Sequence, residues 1–254
     1  MGLNRFRLDG LCAVVTGGSK GLGKAMAKAL AAAGADVVVT SRHEDEAKKA
    51  AEEISAAGRP ALGLAADVVD RAAVAGLVQR AEAAFAKVDI LVNNAGTGEI
   101  KPILDLTDAD WEPVLATNLK GCLLCAQAVV PGMAQRRFGR IINVGSILST
   151  VGHVGLASYT ASKHGLLGLT RAMALEWAAS GITVNCLCPG FFATAMTRPV
   201  VDDPAGYQAV IDRTPVHRWG QPDDLDGPII FLASTASSFV TGTALCVDGG
   251  WTAQ

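Results

Sequence analysis

Residues 11–41 read LCAVVTGGSKGLGKAMAKALAAAGADVVVTS. A Val-rich run (11–16) breaks at a cluster of glycines, an Ala- and Lys-rich stretch follows, and a second β-branched run begins at Asp36. The two Val-rich pieces have the length and composition of buried strands. The middle piece is long enough for a helix and closes on Gly34, a residue that accepts a left-handed backbone after a helix end. Strand, helix, strand in this order is a crossover, and crossovers join parallel strands.

The rhythm continues along the chain. Runs at ALGLAA (61–66), DILVNN (89–94), GRIINVGS (139–146), ITVNCLC (182–188) and TALCVDG (243–249) bring the strand candidates to seven, with helix-length segments such as EDEAKKAAEEISAAG between them. Gly58 closes the second helix as Gly34 closes the first, and Asp67 and Asp70 fall where a loop and an N-cap are needed. Parallel strands connected this way require helices on both faces. The expected fold is therefore α/β, a doubly wound Rossmann sheet of about seven parallel strands. Neither a repeat nor a linker divides the chain, so one domain over 1–254 is expected. The least regular stretch, 190–224, follows the sixth strand at the carboxyl edge where such sheets bind ligands, and it predicts a substrate loop near 190–220.

Composition excludes several classes. Twenty-two basic and 24 acidic side chains give a formal charge of −2, which supplies no field for nucleic acid or an anionic membrane. MGLNRFRLDG has no apolar signal core and no later stretch is uninterruptedly apolar over about 18 residues, so a soluble cytoplasmic protein is expected. The six cysteines lack zinc-site spacing and mostly sit in apolar runs, which points to buried free thiols and no metal. Cys122 and Cys125 have redox-motif spacing, but in LKGCLLCAQAVV, an apolar helix face.

The glycine loop carries the first functional signal. Gly17, Gly21 and Gly23 let backbone approach a pyrophosphate at the mouth of a helix whose first N–H groups are unpaired; Ser19, Lys20 and Leu22 belong to the same loop. At the end of the second strand, TSRHEDE puts Ser41 where an acidic residue would take a ribose 2′-hydroxyl, and Arg42 follows it. A hydroxyl with two cations, Lys20 and Arg42, suits a 2′-phosphate, which favours NADP(H) over NAD(H). The competing reading pairs Arg42 with Glu46 as a surface ion pair.

The second signal is ASYTASKH (157–164), where Tyr159 and Lys163 stand one helical turn apart. An ammonium beside a phenol stabilises the phenolate and readies the tyrosine for proton transfer. Together, TGGSKGLG, DILVNNAG (89–96), Asn118 in ATNLKG, Ser146 in INVGS, SYTASK, CPGFFAT (188–194) and the closing VDGGW resemble the short-chain dehydrogenase/reductase family over nearly the whole chain. The resemblance extends to its compact members, among them 3-oxoacyl-thioester reductases and gluconate 5-dehydrogenases.

The resemblance implies that Ser146 hydrogen-bonds a substrate carbonyl, that Tyr159 protonates the alkoxide, that Lys163 holds the nicotinamide ribose and tunes Tyr159, and that Asn118 anchors a water linking Lys163 to solvent. It also implies adenine contacts at Asp67 and Val68, and adenosine-side contacts at Asn94, Ala95 and Gly96. Thr194 would meet the nicotinamide carboxamide, in a contact shaped by Pro189 and Gly190. Phe192 replaces the small aliphatic residue often found there. His153, between Ser146 and Tyr159, is a candidate substrate ligand or a solvated loop histidine.

The expectation is an NADP(H)-dependent oxidoreductase interconverting a ketone and a secondary alcohol. A 3-oxoacyl-thioester-like or small ketone substrate comes first, with a polyol or sugar-acid dehydrogenase as the alternative. A non-catalytic cofactor-binding sensor or scaffold is the rival class, against which the intact Ser146, Tyr159 and Lys163 set argues. By resemblance the assembly would be a homotetramer, paired through helix faces around 108–131 and 157–178.

Overall fold

All seven predicted strands form, and they make one parallel sheet in the order β3-β2-β1-β4-β5-β6-β7: β1 (Cys12–Val15), β2 (Asp36–Ser41), β3 (Ala61–Ala65), β4 (Ile90–Asn93), β5 (Gly139–Val144), β6 (Ile182–Pro189) and β7 (Ala244–Val247). These coordinates are a computed structural model that describes residues 2–56, 58–195 and 197–254. The strand order reverses between β1 and β4, and a doubly wound sheet opens its ligand crevice at that boundary.

Alternation along β1 divides the core. Ala13 and Val15 face α1 (Gly21–Ala32), α2 (Glu44–Ser55) and the late helix at Asp226–Ala233, while Cys12 and Val14 face α3 (Arg71–Phe85) and the helices that follow. Gly34 and Gly58 do take left-handed backbone, at φ +113° and +100°. Asp70 caps α3 by accepting from the N–H groups of Ala72 and Ala73.

Between β4 and β5 the chain forms a nearly continuous helical run: α4 (Asp108–Leu115), a π-helical turn (Ala116–Lys120) and α5 (Gly121–Arg136). By length and composition the run is apolar enough to cross a membrane, with mean hydropathy 1.4 over 18 residues. Its inner face, including Cys122, Cys125, Val129 and Met133, nevertheless packs in the protein core. After β5 comes α6 (Ala157–Trp177), which carries ASYTASKH.

The stretch after β6 is more regular than its sequence suggests. It contains two helices, α7 (Arg198–Val201) and α8 (Pro204–Arg213), followed by α9 (Asp226–Ala233). Asp203 caps α8 and Pro204 occupies its first position, so the residues that read as loop breakers act here as a helix start. An aromatic cluster anchors the segment, with the Phe191 ring 4.7 Å from Trp251 and Tyr207 stacked on Trp219 at 5.6 Å.

Candidate active site

The β1–α1 loop lies beside the β1/β4 boundary. Gly17 and Gly21 adopt φ +60° and +55°. A Cβ on Gly23 would strike the Asn94 amide and the Gly17 carbonyl, so α1 closes against the loop because that residue is glycine. No side chain caps α1 at Lys20, in contrast to the aspartates that cap α3 and α8. Its first N–H groups, at the positive end of the helix, therefore lack a side-chain acceptor, and these residues fit a pyrophosphate.

Asn94 ties this cradle to β4. Its amide donates to the carbonyls of Thr16 (2.9 Å) and Gly17 (3.0 Å), and Thr16 Oγ1 accepts from the N–H groups of Asn94 and Ala95. With that side chain spent on the loop, Asn94, Ala95 and Gly96 present mainly backbone. Asp67 is exposed and turns the chain after β3 by accepting from Val69 N at 3.1 Å. Val68 is 6% exposed and packs toward Gly121, so its side chain is committed to the core.

At the end of β2 three expected cofactor residues converge on one carboxylate. Glu46 Oε2 accepts from Ser41 Oγ at 3.0 Å and from Ser19 Oγ at 3.2 Å, and Lys20 Nζ lies 3.7 Å from Oε1. The hydrogen bonds from Ser41 and then Ser19 hold the Glu46 carboxyl below its usual range, keeping it ionised. Arg42 is exposed and makes no ion pair among the described residues; the partner of Glu46 is Lys20 instead.

On α6, Lys163 is 4% exposed, with Nζ 5.4 Å from the centre of the Tyr159 ring. Nζ donates to the Val144 carbonyl at 2.7 Å, which fixes the ammonium to the strand that leads to Ser146. Ser146 opens a short turn and accepts from Leu148 N at 3.1 Å. Its own hydroxyl proton is left free to donate. Tyr159 packs against the apolar cluster built on Ile147 and Leu148, beside that turn.

Asn118 is fully buried in the π-helical turn, a distortion often found at functional sites. Its amide donates to the Thr97 carbonyl (2.8 Å) and to Ser162 Oγ (3.0 Å), and its side-chain oxygen accepts from Thr97 N. Those bonds use both amide hydrogens, and the main-chain carbonyl of Asn118 accepts from the Cys122 thiol at 3.2 Å. The expected site set lacks Thr97 and Ser162 and holds Glu46 only as a surface partner for Arg42; spacing of three from Tyr159 on one helix face does not by itself single Ser162 out.

At the end of β6, Gly190 packs against Asp248, where a Cβ would come within 2.8 Å of backbone, and Pro189 closes the strand. Phe192 is 4% exposed with its ring against Gly220, so the core absorbs the larger side chain. Thr194 N and Oγ1 lie 3.0 and 3.3 Å from Thr197 Oγ1.

The structure does not join His153 to this group. The ring is exposed and its only hydrogen bond among the described residues is to the Val154 carbonyl at 2.8 Å. Cys122 and Cys125 are buried, and burial pushes their thiols up to about 11 and about 12, which leaves no thiolate for redox chemistry. Cys246 departs from the expected burial and is exposed on β7. No metal-holding cluster of His, Cys, Asp or Glu occurs among the described residues.

The family model described as enoyl-(acyl carrier protein) reductase matches residues 17–252. The chain is 44% identical to 2-dehydro-3-deoxy-D-gluconate 5-dehydrogenase of Escherichia coli (strain K12), over 99% of both chains. It is 38% identical to 3-oxoacyl-(acyl-carrier-protein) reductase of Salmonella typhimurium, over 95% of this chain and 97% of that one. A gluconate 5-dehydrogenase from Burkholderia cenocepacia J2315, solved in complex with NADP and tartrate, superposes with TM-score 0.97 at 41% identity over the whole of both chains. The parallel sheet, the glycine cradle, the Ser146–Tyr159–Lys163 arrangement and these full-length likenesses together make the chain a member of the short-chain dehydrogenase/reductase family of oxidoreductases.

Proposed function

We propose that the protein interconverts a keto group and a secondary alcohol on a sugar acid, using NADP(H). The observation that carries the chemistry is the buried Lys163 held on Val144 and set beside Tyr159, with a Ser146 hydroxyl free to donate close by. The substrate class rests on full-length relatives: 44% identity to a 2-dehydro-3-deoxy-D-gluconate 5-dehydrogenase against 38% to a 3-oxoacyl reductase. A 3-oxoacyl thioester is the second reading, supported by that 38% relative. The solved relative in complex with NADP supports the cofactor, as do Ser19 and Lys20 of the β1–α1 loop and Ser41 at the end of β2, whose donors converge on one anion.

When bound, the nicotinamide supplies or takes the hydride. Ser146 donates to the carbonyl oxygen, where charge develops during transfer, and a donor aimed there contributes on the order of 3 kcal/mol. Tyr159 delivers the proton to that oxygen in reduction and removes it in oxidation. Lys163 stabilises the phenolate between these states, and Asn118 fixes the position of α6 through Ser162. We further propose a cytoplasmic homotetramer, in keeping with the apolar helices outside β4 and β5.

Initial rates of NADPH and NADH oxidation across keto sugar acids, acetoacetyl thioesters and simple ketones test this reading. Turnover on a keto sugar acid is expected, and Tyr159→Phe should lower it by about 10²- to 10⁴-fold while NADPH still binds. A variant as active as the wild type would overturn the assignment of Tyr159, and turnover on acetoacetyl thioesters alone would move the substrate to the second reading.

A further inference from the structure

Donors suited to a 2′-phosphate already hold an anion that the chain itself supplies. Ser19 and Lys20 come from the β1–α1 loop and Ser41 from the end of β2, and their hydroxyls and ammonium meet on Glu46, in the first turn of α2. The sequence marks the same three residues as cofactor ligands and offers Glu46 only as a surface partner for Arg42. The side chain of Glu46 is 36% exposed, so it has room to rotate outward. A carboxylate and a phosphate cannot share one set of donors without repulsion, because like charges a few ångströms apart each disfavour the other.

We propose that Glu46 determines cofactor discrimination by occupying the 2′-phosphate position: it must swing away for NADP(H) to bind, and it stays in place when NAD(H) binds. The proposal deepens the cofactor reading above and rests on it. NADP(H) binding carries the work of displacing Glu46 from Ser19, Ser41 and Lys20. NAD(H) has no 2′-phosphate and leaves those contacts intact. Glu46 therefore narrows the gap between the two cofactors, making the protein less selective for NADP(H) than its Ser19, Lys20, Ser41 and Arg42 would be alone.

The experiment is equilibrium titration of the purified full-length protein with NADPH and with NADH, following nucleotide fluorescence, for wild type, Glu46→Gln and Glu46→Ala. Thermal midpoints confirm that each variant is folded. Removing the charge should tighten NADPH by roughly fivefold to tenfold, as expected for one lost anionic neighbour in a partly screened site, and should change NADH less than about twofold. Raising the ionic strength should shrink the difference. An unchanged NADPH-to-NADH ratio in both variants overturns the proposal while leaving the cofactor reading intact. Weaker NADPH binding in both overturns it as well, since Glu46 would then be organising the serines for phosphate. Wild-type protein that binds neither nucleotide overturns both readings together.

Discussion

Between Tyr159 and Lys163 the helix also presents Ser162, fully buried, whose hydroxyl donates to the Tyr159 carbonyl at 2.7 Å and accepts from the Asn118 amide at 3.0 Å. It joins α6 to the π-helical turn. Ser162→Ala removes one of the two acceptors of the Asn118 amide in a buried site, which costs about 1–3 kcal/mol. We expect a lower thermal midpoint and a reduced kcat, with NADPH affinity falling less than kcat because the glycine cradle lies on other elements. Unaltered midpoint and kcat would show the bridge to be idle. Tyr159 and Lys163 were legible because helical spacing alone puts them on one face. Ser162 and Glu46 were not: a serine inside a helix and an acid in a helix's first turn both have local explanations. Their roles arise from residues 44 and 27 positions away, Asn118 and Ser19.

At the scale of elements, the β-branched runs gave every strand to within a few residues, and Gly34 and Gly58 marked two helix ends. The end of α3 had no such mark, because Ala86 holds the left-handed position there at φ +66°. Alanine in that conformation costs about 1–2 kcal/mol, so Ala86→Gly should raise the thermal midpoint by a few degrees, less whatever the freer unfolded chain takes back. A fall on scanning calorimetry would contradict this. The start of α4 carries a pH-dependent contact. Asp110 accepts from Lys101 Nζ at 2.6 Å and from Thr107 N and Oγ1, and these bonds, that of Lys101 foremost, hold its carboxyl at about 2. Its pKa is lower folded than unfolded, where it is about 3.9, so its contribution is present above that value and lost as pH falls from about 4 to about 2. The stability gap between wild type and Asp110→Asn, measured in urea, should narrow over that window and stay constant from pH 5 to 7. A gap independent of pH down to 2 would refute it. The gap itself is modest, because the pair is solvent-screened.

For the whole molecule, parallel pairing of the seven strands follows from the crossover pattern, the order β3-β2-β1-β4-β5-β6-β7 is what the structure adds, and the outer helices raise a question that a single chain does not answer. The run from Asp108 to Arg136 is apolar enough to suit a bilayer, yet its inner face is committed to the core. Beside it α6 exposes Leu175 at 85%, and near the C-terminus Phe239 is fully exposed. Scattered apolar residues on a surface need no explanation, but α4, α5 and α6 adjoin one another and form one continuous outer layer. Burial against identical helices of a second copy would cover that layer, and a twofold arrangement repeated about a second axis would give the closed tetramer proposed above. We therefore predict sedimentation at four times the 26.1 kDa chain mass at micromolar concentration. Leu175→Arg sets two guanidinium groups near each other across such a twofold and should shift the distribution toward smaller species, without changing the circular dichroism of the folded chain. A wild-type monomer would sink the prediction outright. A tetramer that Leu175→Arg leaves intact would place the interface elsewhere on the molecule, with Phe239 and the β7 edge the next surface to charge.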